Sequence, residues 1–168
     1  MESRAPARFE DVVLPHLDAA YTLARYLVRN ADDAEDIVQD ACLRALKYFA
    51  GYRGDERTSA RAWLLTIVRN TAHNWHKRHH TDALTTEFDE TEHSDALVDD
   101  HRDAKETVGR ALERLAPEFR EVIVLRELQG LSYKEIGDVA GVPVGTVMSR
   151  LSRARARLQE ALREEEVR

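Results

Sequence analysis

Between His79 and Glu106 the chain carries ten acidic residues against Arg102 and Lys105, and no apolar line at helical or strand spacing runs through them. Self-repulsion and the lack of core side chains predict an extended linker there, or at most a transiently helical one. A chain of 168 residues interrupted in this way is read as two small units, each with a modest core. On either side of the acidic tract, apolar residues recur at helical spacing and alternating β-branched runs are scarce. The expected fold class is therefore all-α: two small helical domains, 1–80 and 106–168, joined by an acidic flexible linker, 81–105, whose repulsion keeps them apart.

The C-terminal unit holds the most informative stretch, Leu131 to Leu158. Ser132 followed by Glu135 is a capping-box pattern that starts a helix at Tyr133. Ile136, Val139 and Ala140 give that helix one apolar edge, and Gly141 then Pro143 end it. A second helix begins near Val144 with an inward line of Val147, Leu151, Ala154 and Leu158. Ser149, Ser152 and Arg153 fall opposite that line, with Arg150, Arg155 and Arg157 on its flanks. Two helices joined by a tight Gly-containing turn, the second apolar inward and Ser/Arg outward, predict a helix-turn-helix whose second helix enters a DNA major groove. An arginine-rich helical hairpin can also be only a solvated face. Charge distribution argues against that, because Val144 to Arg163 carries five arginines against Glu160 alone, on a chain of formal net charge -6. Upstream, Val108, Ala111, Leu112 and Leu115 predict one short amphipathic helix. Pro117 opens another, carrying Phe119, Val122 and Ile123.

In the N-terminal unit, Val13, Leu17, Ala20, Tyr21, Ala24, Leu27 and Val28 form a helical stripe whose regular part starts near Pro15. Asn30 or Asp32 can cap a second helix reaching about Phe49, with Ala34, Ile37, Val38, Ala41, Cys42, Ala45, Leu46 and Phe49 buried. Asp33, Asp36, Gln39, Asp40, Leu43 and Lys47 stay outside as an acidic strip with one leucine in it. That strip is either a solvated face or a docking surface for a partner helix. After a Gly- and charge-rich loop, a third helix runs from about Ala60 to Arg78, with Trp63, Leu64, Ile67, Val68, Thr71, Ala72 and Trp75 inward. Residues 61–78 contain Arg61, Arg69, Lys77 and Arg78 and no acid, with Asn70, His73 and Asn74 on the polar side. Cations neutralise phosphate, amides can read base edges, and aromatics can stack on an unpaired base. At this spacing the tryptophans read first as core.

Other classes find little support. Hydrophobic content of 43% and charged content of 33% describe a globular chain, no apolar run approaches the ~20 residues of a membrane span, and the start lacks a secretory segment. A cytoplasmic protein without membrane insertion is expected. The single cysteine, Cys42, can form neither an internal disulfide nor a CxxC metal site. His73, His76, His79 and His80 have helical spacings that could align imidazoles, but no carboxylate or thiol completes a ligand pattern and basic neighbours oppose a cation. No metal, no cofactor and no catalytic group is expected; the chain reads as a non-enzyme.

Taken in order, these motifs resemble the bacterial sigma-70 family of RNA polymerase sigma factors, in its compact extracytoplasmic-function (ECF) group. DAEDIVQDACLRAL (33–46) resembles the polymerase-binding helix, and ARAWLLTIVRNTAHNWHKR (60–78) the segment that melts and reads the minus-10 element. APEFREVIVLRELQGLSYKEIGDVAGVPVGTVMSRLSRARARL (116–158) resembles the minus-35-reading domain. The resemblance implies a region 2-like bundle over 1–80 and a region 4-like domain over 106–168. It implies that Asp33, Asp36, Gln39, Asp40 and Leu43 grip the clamp helices of the polymerase β′ subunit, with the β flap as a second contact. Tyr52, Arg57 and Asn70, within and beside the loop Tyr52 to Thr58, would shape a pocket for a flipped minus-10 base, and Arg69, Asn74, Lys77 and Arg78 would hold the strand. Met148, Ser149, Ser152 and Arg153 would face minus-35 bases, with Arg150, Arg155 and Arg157 on phosphates. Core RNA polymerase and promoter DNA are the implied partners, together with an anti-sigma factor. A freestanding helix-turn-helix regulator that binds two-fold half-sites unaided is the rival reading.

Overall fold

The computed structural model describes residues 8–52, 59–80 and 100–167. Every element in it is helical: α1 (Phe9–Val13), α2 (Leu17–Val28), α3 (Ala31–Tyr48), α4 (Ala60–His80), α5 (Asp100–Glu113), α6 (Pro117–Ile123), α7 (Tyr133–Ala140) and α8 (Val144–Glu166). Among the described residues no helix is long and apolar enough to cross a membrane.

α1, α2, α3 and α4 form the first unit. Pro15 has no amide hydrogen to donate, and the chain passes through a 3-10 turn at Leu14–His16 before regular helix resumes at Leu17. α2 ends at Arg29, whose φ of 62° turns the chain out of the helix. Asn30 then caps α3, its Oδ1 accepting from the amides of Asp32 at 2.8 Å and Asp33 at 3.2 Å. Small residues let α3 approach its neighbours: Ala34, Ala41 and Ala45 are buried with Ile37. Leu46 was expected beside them and is instead 56% exposed. It lies on the flank of the buried line Ala34, Ile37, Ala41 and Ala45, beyond the half-buried Val38 and Cys42. The Ser59 hydroxyl accepts from the amide of Ala62 at 3.1 Å and so starts α4. Leu64, Leu65, Val68, Thr71 and Ala72 are buried along α4, and Trp63, Ile67 and Trp75 are half-buried.

The second unit is built from α5 to α8. α5 begins at Asp100, so helix reaches into the 81–105 segment expected as linker; residues 81–99 lie outside the described ones. Pro117 occupies the first turn of α6, where its missing N–H has no partner to lose. The helix continues through a π turn at Val124–Leu128, which keeps both Val124 and Leu125 buried. α7 has the expected capping box, with Ser132 Oγ accepting from the amide of Glu135 and Glu135 Oε1 accepting from the amide of Ser132, both at 3.1 Å. Gly141, at φ 70°, closes it. Val147, Leu151 and Ala154 are buried and Leu158 half-buried, as the spacing predicts.

The two units are not held apart, which corrects the expectation of separation. α4 packs on α7, and α2 on α6 and the π turn. One buried apolar cluster runs through both units, and polar cross-links between residues far apart in sequence flank it, which periodicity within a single helix could not announce. Arg69 Nε stands 2.8 Å from Glu121 Oε1. Arg120 Nη1 donates to the carbonyl of Tyr26 at 2.8 Å, Arg29 Nη2 to that of Glu113 at 2.6 Å, and Gln129 Nε2 to that of Ala19 at 3.4 Å. Ser59 Oγ, while capping α4, donates to Glu135 Oε2 at 2.7 Å, so the starts of α4 and α7 share one hydroxyl.

Two predictions follow from these contacts. A Cβ on Gly137 would lie 2.8 Å from the backbone oxygen of Val142, whereas one on Gly145 would meet nothing within 4 Å. Gly137→Ala should cost about 1 to 3 kcal/mol in chemical denaturation, whereas Gly145→Ala should be neutral or slightly stabilising. Second, partial burial would raise the Glu135 carboxyl, but hydrogen bonds from Ser59 and Ser132 and the charge of Arg61 outweigh it and hold the group below its ordinary range. A depressed folded value means stability that is complete above the ordinary glutamate range and is lost as pH falls through the folded value. The gap in unfolding midpoint between wild type and Glu135→Gln should therefore be widest near neutrality and narrow in acid.

Candidate nucleic-acid interface

α8 is held by its buried line of Val147, Leu151 and Ala154, which fixes what its other side presents. Met148 is 54% exposed, and Ser149, Ser152 and Arg153 are exposed beside it. The four expected base-facing residues therefore share one open surface. Their flanks are not equivalent. Arg157 is exposed. Arg155 is tied through Nη2, at 2.9 Å, and Nε, at 3.3 Å, to Glu127 Oε1. Arg150 is half-buried and borders the cleft between the units.

The polar side of α4 divides in the same way. Asn70, Asn74, Lys77 and Arg78 are exposed. Arg69 points instead into the seam, onto Glu121. Tyr52 is half-buried, its ring 5.8 Å from Phe49 and 4.8 Å from Trp63. Phe9 closes the same cluster against Phe49 at 5.5 Å. Trp63 thus stabilises the bundle, in agreement with its reading as core, and Tyr52 is presented beside it at the mouth of the loop. Arg57 and the other residues 53–58 of that loop lie outside the described residues.

His73, His76 and His79 on α4 do not converge. The His76 ring Nε2 lies 2.8 Å from the carbonyl oxygen of Leu27, and His79 stacks on Trp75 at 4.1 Å. Among the described residues no group of three or more His, Cys, Asp or Glu side chains is placed to hold a metal ion.

α3 offers a surface of a different chemistry. Asp36 and Gln39 are exposed and Leu43 is 67% exposed, while Asp33 and Asp40 are half-buried. Asp40 Oδ2 lies 3.3 Å from Arg44 Nε. Leu46 and Tyr48, at 56% and 59% exposure, extend this strip with apolar area that the sequence reading had placed in the core or passed over. Acidic groups around a protruding leucine suit a basic, partly apolar helix better than they suit DNA.

Between the units lies a cleft of about 250 Å³, lined among others by Arg69, His73, His76, Glu118, Arg120 and Arg150. Arg120 and Glu121 are each only 5% exposed, and sequence reasoning missed both. A signal was available. Val122, Ile123, Val124 and Leu125 are consecutive, so α6 is apolar on more than one side and a charged pair on it has to be buried and partnered.

Comparison with known proteins gives matches over both units. Residues 12–81 match the family described as Sigma-70 region 2, and residues 105–158 the family described as Sigma-70, region 4. The chain is 32% identical to the ECF RNA polymerase sigma factor SigE of Mycolicibacterium smegmatis, over 96% of its own length and 64% of that protein's. It is 33% identical to the RNA polymerase sigma-H factor of Pseudomonas aeruginosa, covering 92% of this chain and 86% of the relative. Among solved structures, the sigma factor RpoE of Bartonella quintana, in complex with the anti-sigma factor NepR, superposes with a TM-score of 0.74 at 32% identity. That match covers 92% of this chain and 96% of the other.

Proposed function

This chain belongs to the sigma-70 family, in its extracytoplasmic-function group, and from that premise we propose that it directs core RNA polymerase to specific promoters. It is a cytoplasmic specificity subunit and not an enzyme in its own right. The observation that most supports this reading is the open row on α8, with Met148, Ser149, Ser152 and Arg153 exposed together over a buried apolar line. Side chains so displayed can enter a major groove and read minus-35 base edges, with the exposed Arg157 open to a phosphate, Arg155 able to exchange Glu127 for one, and the half-buried Arg150 assigned beside them.

Residues 1–80 bind the polymerase and open the minus-10 element, residues 81–105 connect, and residues 106–168 read minus-35 and rest on the β flap. Asp33, Asp36, Gln39, Asp40 and Leu43 meet the β′ clamp helices, and the exposed Leu46 adds apolar area to that contact. Arg69, Asn74, Lys77 and Arg78 hold the melted strand, with Tyr52, Arg57 and Asn70 around an extruded base. Extrusion costs a few kcal/mol, which stacking and hydrogen bonds in the pocket offset without ATP hydrolysis. An anti-sigma factor controls the chain, a reading supported by its likeness to the Bartonella sigma factor solved in complex with one.

Reconstitution with core polymerase on a random-promoter library tests the whole reading. Transcribed templates should share a minus-35 and a minus-10 element; selection of two-fold duplex sites by the protein alone would replace this reading with that of a freestanding regulator. Asp40→Lys should abolish association with core polymerase. It should leave thermal stability nearly unchanged, because the exposed pair it removes is worth roughly 0.5 kcal/mol or less. Arg153→Ala should weaken minus-35-dependent initiation by about 1 to 3 kcal/mol if the guanidinium makes a bidentate base contact. An equal loss on every DNA sequence would make it a phosphate contact.

A further inference from the structure

The cleft of about 250 Å³ between the units carries more positive charge than its own carboxylates answer. Arg69, Arg120 and Arg150 line it against Glu118 and Glu121, with His73 on the same wall as Arg69. Glu121 is already engaged by Arg69, at 2.8 Å. Glu118 is exposed, so water screens most of its charge.

Arg120 is the group in deficit. It is only 5% exposed, yet its guanidinium donates to two neutral carbonyl oxygens, those of Tyr26 at 2.8 Å and Leu115 at 3.2 Å, and its buried Nε has no hydrogen-bond partner. Burial, and then the charge of Arg29, press its pKa below the ordinary arginine value, with Glu113 pulling the other way. A guanidinium keeps its proton under such pressure, so the charge persists and an anion near it is favoured. At the rim, Arg150 is half-buried and His73 exposed, and among the described residues neither has a hydrogen-bond or ion-pair partner. Cations from α4, α6 and α8 thus border one cavity, whose low-dielectric walls focus their field. Its volume falls short of the roughly 300 to 1,000 Å³ of sites for drug-sized ligands and suits a more compact one.

We propose that this cleft is a binding site for a small phosphate dianion, free or carried as a monoester, with Arg150 and His73 donating to its oxygens and Arg120 supplying the field that draws it in. Phosphate matches this donor set because guanidinium pairs with it in fixed geometry and its several oxygens can accept from both units at once. The site stands apart from every assignment to promoter or polymerase, since its ligand is a solute and not a strand. A ligand that binds only the folded chain stabilises it increasingly as its concentration rises, which gives a second readout.

Titration calorimetry on the full chain tests this, with inorganic phosphate, adenosine 5′-monophosphate and adenosine as probes at constant ionic strength. Both phosphate probes should saturate a single site per chain and raise the thermal midpoint; adenosine should do neither. Equal affinity for the two would identify free phosphate as the ligand, and tighter binding of the nucleotide a monoester whose organic body also meets the cleft. Arg150→Gln should weaken both phosphate probes roughly tenfold or more, the loss of one charge-assisted hydrogen bond. Glu118→Gln should tighten them, a gain that a loosened fold would not give. Lys134→Gln removes an exposed cation on α7, away from the cleft, and should change nothing.

Absence of saturable binding by both phosphate probes, or binding that Arg150→Gln and Glu118→Gln leave unaltered, would overturn the site. Binding of a duplex oligonucleotide that Arg150→Gln weakens, with neither small probe bound, would also overturn it and assign these cations to a nucleic-acid backbone.

Discussion

α4 is packed on more than one side at once, and the arrangement of both units depends on this. Its buried residues bind it to α2 and α3, and a second side meets α7. A helix with one apolar stripe would have settled into the N-terminal bundle and left its polar face in water. Here the polar face is itself divided. Asn70, Asn74, Lys77 and Arg78 face outward, while Arg69 and Ala72 line the interdomain cleft. The position of the C-terminal unit follows from where that second side points, and so does the place of Arg150 at the edge of the cleft.

Charge placement explains how an acidic chain can serve nucleic acid. The formal net charge is -6, yet the cations on α4 and α8 are concentrated on surfaces distinct from the acidic strip of α3. Long-range repulsion keeps such a molecule off DNA in general, and the local positive rows act only once the surface is brought close. Several of those cations already have carboxylate neighbours, Glu121 at Arg69 and Glu127 at Arg155. Exchange of a carboxylate for a phosphate costs less than exposing a bare buried cation, because one anion replaces another.

What could be read from the sequence was whatever is local. Ser132 with Glu135, Gly141, Asn30 and Pro117 act through their own neighbours in the chain, and each does what its pattern predicts. The inward line of α8 was legible for the same reason, since periodicity is a property of one helix. Leu46 was misplaced because periodicity gives a direction but not the width of the buried stripe, and Leu46 lies on the flank of the line through Ala41 and Ala45. The packing of the two units was missed because both its polar links and its shared apolar cluster join residues far apart in sequence, and periodicity within one helix does not say which helix it meets. The residues assigned to DNA and polymerase came from family resemblance. The structure adds which of them are open and which are engaged.

The close approach at Gly137 has a consequence for how such a reader diversifies. The helix-turn-helix geometry is set where the backbone oxygen of Val142 presses on a residue without a side chain, and by the buried Val147 nearby. None of these groups is on the outward row of α8. The pose of α8 and the side chains it displays are therefore specified by separate residues. On the proposed assignment of Met148, Ser149, Ser152 and Arg153 to base edges, new promoter repertoires would be reachable by single replacements there without renegotiating the architecture that presents them.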